Sequence, residues 1–249
     1  MAERERLDQA LVARGLAPSR QRAQSLIAAG LVQVDGKTAT KASQKVSQTD
    51  RIELTGEDHP WVSRGGMKLA HGLEAFAVSA LGKVCLDLGA STGGFTDVLL
   101  QGGASRVYAV DVGHDQLHDK IRSDKRVVNL EGVNARTLDG TQVPEAIDLV
   151  TCDASFISLK LVLPPALSMV KPGGGVIALI KPQFEAGRGQ IGKGGVVRDS
   201  AVHDRVRKEI ADWIDGLQDW SVKGSAPSPI DGPDGNREFL IHAVRKAPH

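Results

Sequence analysis

Two apolar runs of strand-forming residues end in charge. "GVIALIKPQFE", residues 175–185, reaches Lys181 before Pro182 stops it, and "LVTCDASF" runs out at Asp153. Lysine and aspartate are costly to bury, so charges that close apolar strands call for a use. Lys68 lies in the helical stretch "SRGGMKLAHGL" before the first strand of the series, and Glu238 lies at the start of "EFLIHAV". If neighbouring strands run parallel, Asp153 and Lys181 sit side by side at one rim. An antiparallel last strand would begin on that same rim. Two lysines and two acids then converge with zero net charge. Any one alone reads as an exposed strand-end charge; four on one predicted rim do not.

The elements that must position these residues alternate. From residue 82, strands "KVCLDLGA", "RVYAVDVG", "RVVNLEG", "AIDLVTCDAS", "GVIALIKP" and "EFLIHAV" are separated by helical stretches, the longest being "AVHDRVRKEIADWIDGL". Such alternation predicts an α/β domain with a parallel sheet covered by helices, binding ligands beyond the strands' carboxyl ends. "CLDLGASTGGFTDVLL" places Gly89, Gly93 and Gly94 between a strand and an amphipathic helix. Glycine there allows a tight turn and close backbone approach. The turn lacks the Gly-Lys-Ser/Thr of a phosphate loop. Asp111 ends the second strand about 20 residues on and could accept from a ribose diol, which serves NAD or S-adenosylmethionine alike.

The order Asp87-x-Gly89-x-Ser91-x-Gly93-Gly94-Phe95 resembles class I methyltransferases. An acid before the turn fits a cationic sulfonium ligand and disfavours a pyrophosphate. The resemblance implies S-adenosylmethionine as cofactor, held by Asp87, Gly89, Ser91, Gly93, Gly94, Phe95, Asp111 and Asp153, with Asn134 where that family recognises adenine.

Residues 6–54 form a separate pattern. Two short helices are predicted, with Ser19 as N-cap and Gly15 and Gly30 as stops. A hairpin turning at Asp35-Gly36 and a short strand "DRIEL" follow. Between Arg14 and Arg51 seven basic residues face two acids, an excess of five that a polyanion could use. "RLDQALVARGLAPSRQRAQSLIAAGLVQVDGK" resembles the S4 domain, a small RNA-binding module. That implies phosphate and shape contacts to structured RNA, with Arg6, Arg20, Arg22, Lys37 and Lys41 as candidates. The expected boundaries are 1–54 for this module, 55–62 for a linker with Trp61 as an anchor, and 63–249 for the α/β domain.

The 249 residues carry a formal net charge of +1, with 41% hydrophobic and 24% charged residues. That balance excludes a disordered chain. No apolar run reaches transmembrane length and no signal-peptide core opens the chain. The two cysteines, Cys85 and Cys152, lie in apolar strands, and the histidines show no metal spacing. A cytoplasmic protein with no metal and no membrane partner is expected.

With "WVSRGGMK", "DVGHDQL", "KPQFE" and "GKGGVVRD" added, nearly the whole chain resembles the TlyA (hemolysin-A-like) rRNA methyltransferases. Lys68, Asp153, Lys181 and Glu238 match in order and setting the Lys-Asp-Lys-Glu tetrad of FtsJ-type ribose 2′-O-methyltransferases. His59 departs from the arginine often found there in the family. The resemblance implies a Rossmann-like, mostly parallel seven-stranded sheet and transfer of a methyl group to a ribose 2′-hydroxyl, a cytidine, of rRNA or ribosomal subunits. A neutral 2′-hydroxyl is a weak nucleophile and must lose its proton as it attacks. Lys181 is expected to act as base or proton relay, Lys68 to orient the ribose, and the two acids to support them. Burial and a second cation favour the unprotonated lysine, whereas the acids favour the charged one. Arg64, Arg188 and Lys193 are further RNA candidates, the latter two in the glycine-rich segment "FEAGRGQIGKGG". Two competing readings are a membrane-active hemolysin and an RNA-binding protein without activity. A cysteine-nucleophile mechanism at Cys152 is disfavoured, because a buried strand thiol explains that residue, and "DASF" lacks the Asn/Asp-Pro-Pro-aromatic turn of base N-methylation.

Overall fold

A computed structural model describes residues 4–17, 19–28, 30–55, 59–232 and 234–247. The chain divides into two compact units, Met1–Arg64 and Gly65–His249.

In the first unit, β1 (Glu5–Arg6) leads into α1 (Leu7–Ala13), followed by α2 (Arg20–Ala28), β2 (Val32–Val34), β3 (Lys37–Thr38), β4 (Lys45–Val46) and β5 (Ile52–Leu54). Leu7, Leu11, Leu26, Ile27, Val32 and Val46 are buried and form its core. Ser19 Oγ accepts the Arg22 N–H at 3.2 Å. This satisfies one of the open donors at the start of α2. Asp35 and Gly36 both have positive φ, 50° and 76°, at the turn between β2 and β3. Such angles belong to a two-residue hairpin turn. β2 also pairs antiparallel with β5. β1 and β4 leave no mark in the residue pattern. They are two residues each and pair only with one another. Strands so short cannot show a period.

The second unit begins with α3 (Gly65–Ala75) and β6 (Val84–Leu88). It continues through α4 (Gly94–Gln101), β7 (Arg106–Asp111), α5 (Asp119–Arg122), β8 (Val127–Glu131), β9 (Ile147–Cys152), α6 (Leu159–Ser168), β10 (Val170–Ile180), α7 (Pro182–Glu185), α8 (Ser200–Asp215), β11 (Trp220–Pro227) and β12 (Phe239–Arg245). Seven strands lie in the order β11-β12-β10-β9-β6-β7-β8. β6 through β10 pair in parallel, and β12 runs antiparallel to both its neighbours. β6 and β9 are nearly continuous apolar runs. A sheet covered on both faces requires this. Along α8, Val202, Val206, Ile210 and Ile214 recur every fourth residue and are buried as one stripe. Gly72 lets α3 sit close to the sheet, since a Cβ there would meet Ile177 and Leu240 at 3.3–3.4 Å.

The six strands expected from residue patterns are present. β11 is the addition. "WSVKGSAP" contains glycine and proline, and its register shifts between Val222 and Gly224. As an edge strand it needs no apolar run. Among the described residues no helix is long and apolar enough to cross a membrane.

Candidate active site

Three parallel strands end at one cavity of about 500 Å³. Gly89 and Ser91 follow β6, Asp111 ends β7, and Asp153 to Ile157 follow β9; Asn134 and Arg136 complete one side. Its lining is largely apolar with a few converging polar groups, as small-molecule sites usually are. Gly89 has φ 79°, and a Cβ on it would stand 3.0 Å from the backbone of Ala154. Only glycine lets the two loops approach this closely. Asp111 accepts the Ser91 N–H through Oδ2 and the Gly113 N–H through Oδ1, both at 2.8 Å, which fixes its carboxylate at the cavity wall. Asn134 Oδ1 accepts the Arg136 N–H at 3.0 Å and heads a short helical turn.

The residues expected to bind a cofactor thus fall into two groups. Gly89, Ser91, Asp111, Asn134 and Asp153 line the cavity; Asp87, Gly93, Gly94 and Phe95 do not. Gly93, with φ 96°, precedes α4 and packs against Leu117 and Ile121, while Gly94 and Phe95 open the helix and are buried. Asp87 is fully buried. Its carboxyl accepts from Thr96 Oγ1 at 2.7 Å and Thr151 Oγ1 at 2.9 Å, so it joins β6, β9 and α4 beneath the turn. Burial pushes this carboxyl up to about 7, against the pull of the two hydroxyls. These four residues shape the turn from below, and Gln116, Arg136, Ser155 and Phe156 stand on the wall instead.

The four strand-end charges form two pairs. Lys68 Nζ on α3 lies 2.6 Å from Glu238 Oε2, with both side chains buried. Lys181 Nζ lies 2.6 Å from Asp153 Oδ1, an ion pair outside hydrogen-bond angles, and donates to the Asp153 carbonyl at 3.2 Å and to Ser155 Oγ at 2.8 Å. Ile180 faces Phe239 in the β10–β12 register, so Lys181 and Glu238 leave adjacent strands at the same end. Burial strips Lys68, Glu238 and Lys181 of water, so each is offset by its partner, while Asp153 stays half-buried on the cavity wall. Buried ammonium–carboxylate pairs beside a ligand cavity can position a hydroxyl and exchange protons with it.

The FtsJ-like methyltransferase model matches residues 61–245, and the S4 domain model matches residues 5–52. The chain belongs to the FtsJ-like methyltransferase family. It is similar to the "16S/23S rRNA (cytidine-2'-O)-methyltransferase TlyA" of Mycobacterium tuberculosis, with 47% identity over 242 residues, 97% of this chain and 90% of that one. It is 40% identical to "Hemolysin A" of Brachyspira hyodysenteriae, again over 242 residues, covering 96% and 99% of the two chains. Among solved structures, the "Putative hemolysin from Streptococcus thermophilus" aligns with TM-score 0.77 and 42% identity, over 99% of this chain and 90% of that one.

In this FtsJ-like methyltransferase an aromatic pair also stands at the site, outside every expectation drawn from residue type. Phe156, three residues after Asp153, is 90% exposed and has φ 65°. That is a left-handed backbone, which a bulky residue rarely adopts. Its ring lies 5.0 Å from that of Phe184, three residues after Lys181. The "DASF" and "KPQF" motifs held this signal. Glu185 fastens the two motifs together, accepting from Ser158 Oγ at 2.6 Å and from the Leu159 N–H at 2.7 Å at the start of α6. Both cysteine thiols are pushed up to about 12 by burial. Neither is therefore a thiolate near neutrality. Among the described residues no cluster of His, Cys, Asp and Glu could hold a metal ion.

The RNA candidates also divide. Arg6 and Arg20 both pair with Asp8 at 2.9 Å, and Arg22 donates to the carbonyls of His59 at 2.6 Å and Trp61 at 3.3 Å. Lys37, Lys41 and Lys193 are exposed and Arg64 is half-buried. The Arg188 side chain lies outside the described residues.

Proposed function

We propose that this chain transfers a methyl group from S-adenosylmethionine to the 2′-hydroxyl of a cytidine ribose in ribosomal RNA, acting in the cytoplasm. The observation that carries the reading is the pair of ammonium–carboxylate contacts, Lys68–Glu238 and Lys181–Asp153, gathered at the strand ends where Asp153 opens onto a cavity with an acid fixed at the end of its second strand. The cavity suits the cofactor: Gly89 leaves room, Asp111 offers a fixed carboxylate to a ribose diol, and Asn134 stands after the third strand. When bound, the cofactor supplies an electrophilic methyl on a sulfonium.

The chain's own residues supply position and proton transfer. Lys181 receives the 2′-proton, and Asp153 stabilises the ammonium that results. Lys68, held by Glu238, orients the ribose. Presenting the hydroxyl in near-attack geometry accounts for up to ~7–11 kcal/mol in favourable cases. Phe156 offers its exposed face to the target base, a stacking contact worth roughly 1–3 kcal/mol. The S4 module of residues 1–54 presents Lys37 and Lys41 to RNA phosphates, while Arg6, Arg20 and Arg22 divide their donors between the fold and the partner. Tritiated methyl transfer to ribosomal subunits from cells lacking the enzyme, followed by nucleoside analysis, tests the reading. The expected product is 2′-O-methylcytidine; a methylated base would overturn it.

A further inference from the structure

Resting on the 2′-hydroxyl reading above, we propose that the Ser155 hydroxyl relays the ribose proton to Lys181. Three acceptors surround Lys181 Nζ: the Asp153 carboxylate at 2.6 Å, the Asp153 carbonyl at 3.2 Å and Ser155 Oγ at 2.8 Å. An ammonium has three protons and no lone pair. Here Nζ donates to the Asp153 carbonyl and to Ser155 Oγ, while the Asp153 carboxylate lies close by outside hydrogen-bond angles. To take up a proton the amine must be neutral, with its lone pair facing a donor. An ionised carboxylate and a backbone carbonyl accept only. Of these three partners, the serine hydroxyl alone can turn from acceptor to donor.

Its position suits that role. Ser155 is exposed and lies on the cavity wall, whereas Lys181 is 7% exposed and is not part of the lining. A hydroxyl presented from the cavity therefore meets Ser155 Oγ ahead of Nζ. In the reaction the 2′-oxygen bonds to the methyl carbon as the carbon–sulfur bond breaks and its electron pair stays on sulfur. The 2′-proton passes to Ser155 Oγ while the serine's own proton passes to the Nζ lone pair. Serine ends as a hydroxyl and lysine as an ammonium beside Asp153. The positive charge that began on sulfur ends on nitrogen, so atoms and charge balance.

The test uses the full chain, single-turnover transfer to unmodified ribosomal subunits, and calorimetric binding of S-adenosylmethionine. Ser155→Ala should lower the transfer rate about 10²-fold at S-adenosylmethionine concentrations that calorimetry shows to be saturating, within the range of general acid–base contributions. Ser155→Thr, which keeps the hydroxyl, should recover to within about tenfold of wild type on the same scale. In mixtures of light and heavy water the wild-type rate should follow a bowed curve, because two protons move, and the Ser155→Ala rate a straight line. An alanine variant within threefold of wild type overturns the relay. So does a slow alanine variant with the wild-type curve, since Ser155 would then only hold Lys181 in place. Wild-type label on a base sinks the underlying reading and the relay together, and shows as a different nucleoside rather than a slower one.

Discussion

Within each unit carboxylates are met by cations, but in opposite arrangements. In the first, Asp8 is fully buried and takes hydrogen bonds from Arg6, Arg20 and Gln24, so one acid absorbs two cations and an amide. At the rim of the second, Asp153 and Glu238 each meet one lysine, and one of those lysines also reaches a hydroxyl on the cavity wall. A carboxylate saturated by donors fixes a fold. A carboxylate sharing a lysine with a reactive surface leaves a proton that can move. On the proposed reading, the same residue types serve architecture in one region and chemistry in the other.

The sharpest contrast should come from Lys181→Ala. It should lower methyl transfer at least ~10³-fold, given general-base terms of about 10²–10⁴, while calorimetry still finds cofactor binding. Near-normal turnover would break the comparison, because the rim would then be architecture too. Next, Asp8→Asn leaves two guanidiniums with half a partner and should destabilise the first unit by roughly 3 kcal/mol, with methyl transfer to a small unstructured RNA unaffected. Denaturant titration of that unit's transition would show it, and an unchanged midpoint would count against the saturated-acid account.

Smaller still is a difference in sign with pH. Donors, Arg6 first, hold the Asp8 carboxyl well below the usual carboxylate range. Its contribution is present above the ordinary aspartate value and is lost as pH falls through its depressed one. Asp87 is held by uncharged donors, the Thr96 and Thr151 hydroxyls and the Thr96 backbone, and is raised to about 7 by burial. Its contribution is full below the ordinary aspartate value and is lost as pH rises through about 7. Between about pH 5 and 8 the second unit should lose on the order of 2 kcal/mol that Asp87→Asn does not lose. Parallel denaturation curves for the two proteins would contradict this. Smallest of all, Cys152→Ser should leave methyl transfer within about twofold, since a thiol at about 12 carries little thiolate.

The strand-end residues were legible because a parallel sheet converts linear position into place. Each apolar run ends at the same rim, so Asp153, Lys181 and Asp111 could be set together from order alone. Side-chain direction was not legible. Asp87 and Asp111 both end strands near the glycines, yet one is directed under the turn and the other into the cavity, which depends on which face each residue occupies. The charge tally from Arg14 to Arg51 begins beyond Asp8, and a linear window cannot see that this acid engages Arg6 and Arg20. Ser155 and Phe156 were plain in "DASF", but their relevance needs the Nζ–Oγ distance and the exposed left-handed backbone. β11 escaped because an edge strand needs no distinctive pattern.

β12, last in the sequence, lies between β10 and β11 and delivers Glu238 at its entry into the sheet. During synthesis Lys68 therefore waits 170 residues for its counter-ion. Until that final strand slides between its neighbours, β11 has nothing to pair with and the lysine stands alone. The buried Lys68–Glu238 pair therefore forms only once β12 has entered the sheet, and a chain halted before residue 238 would hold a buried lysine with no counter-ion from that strand.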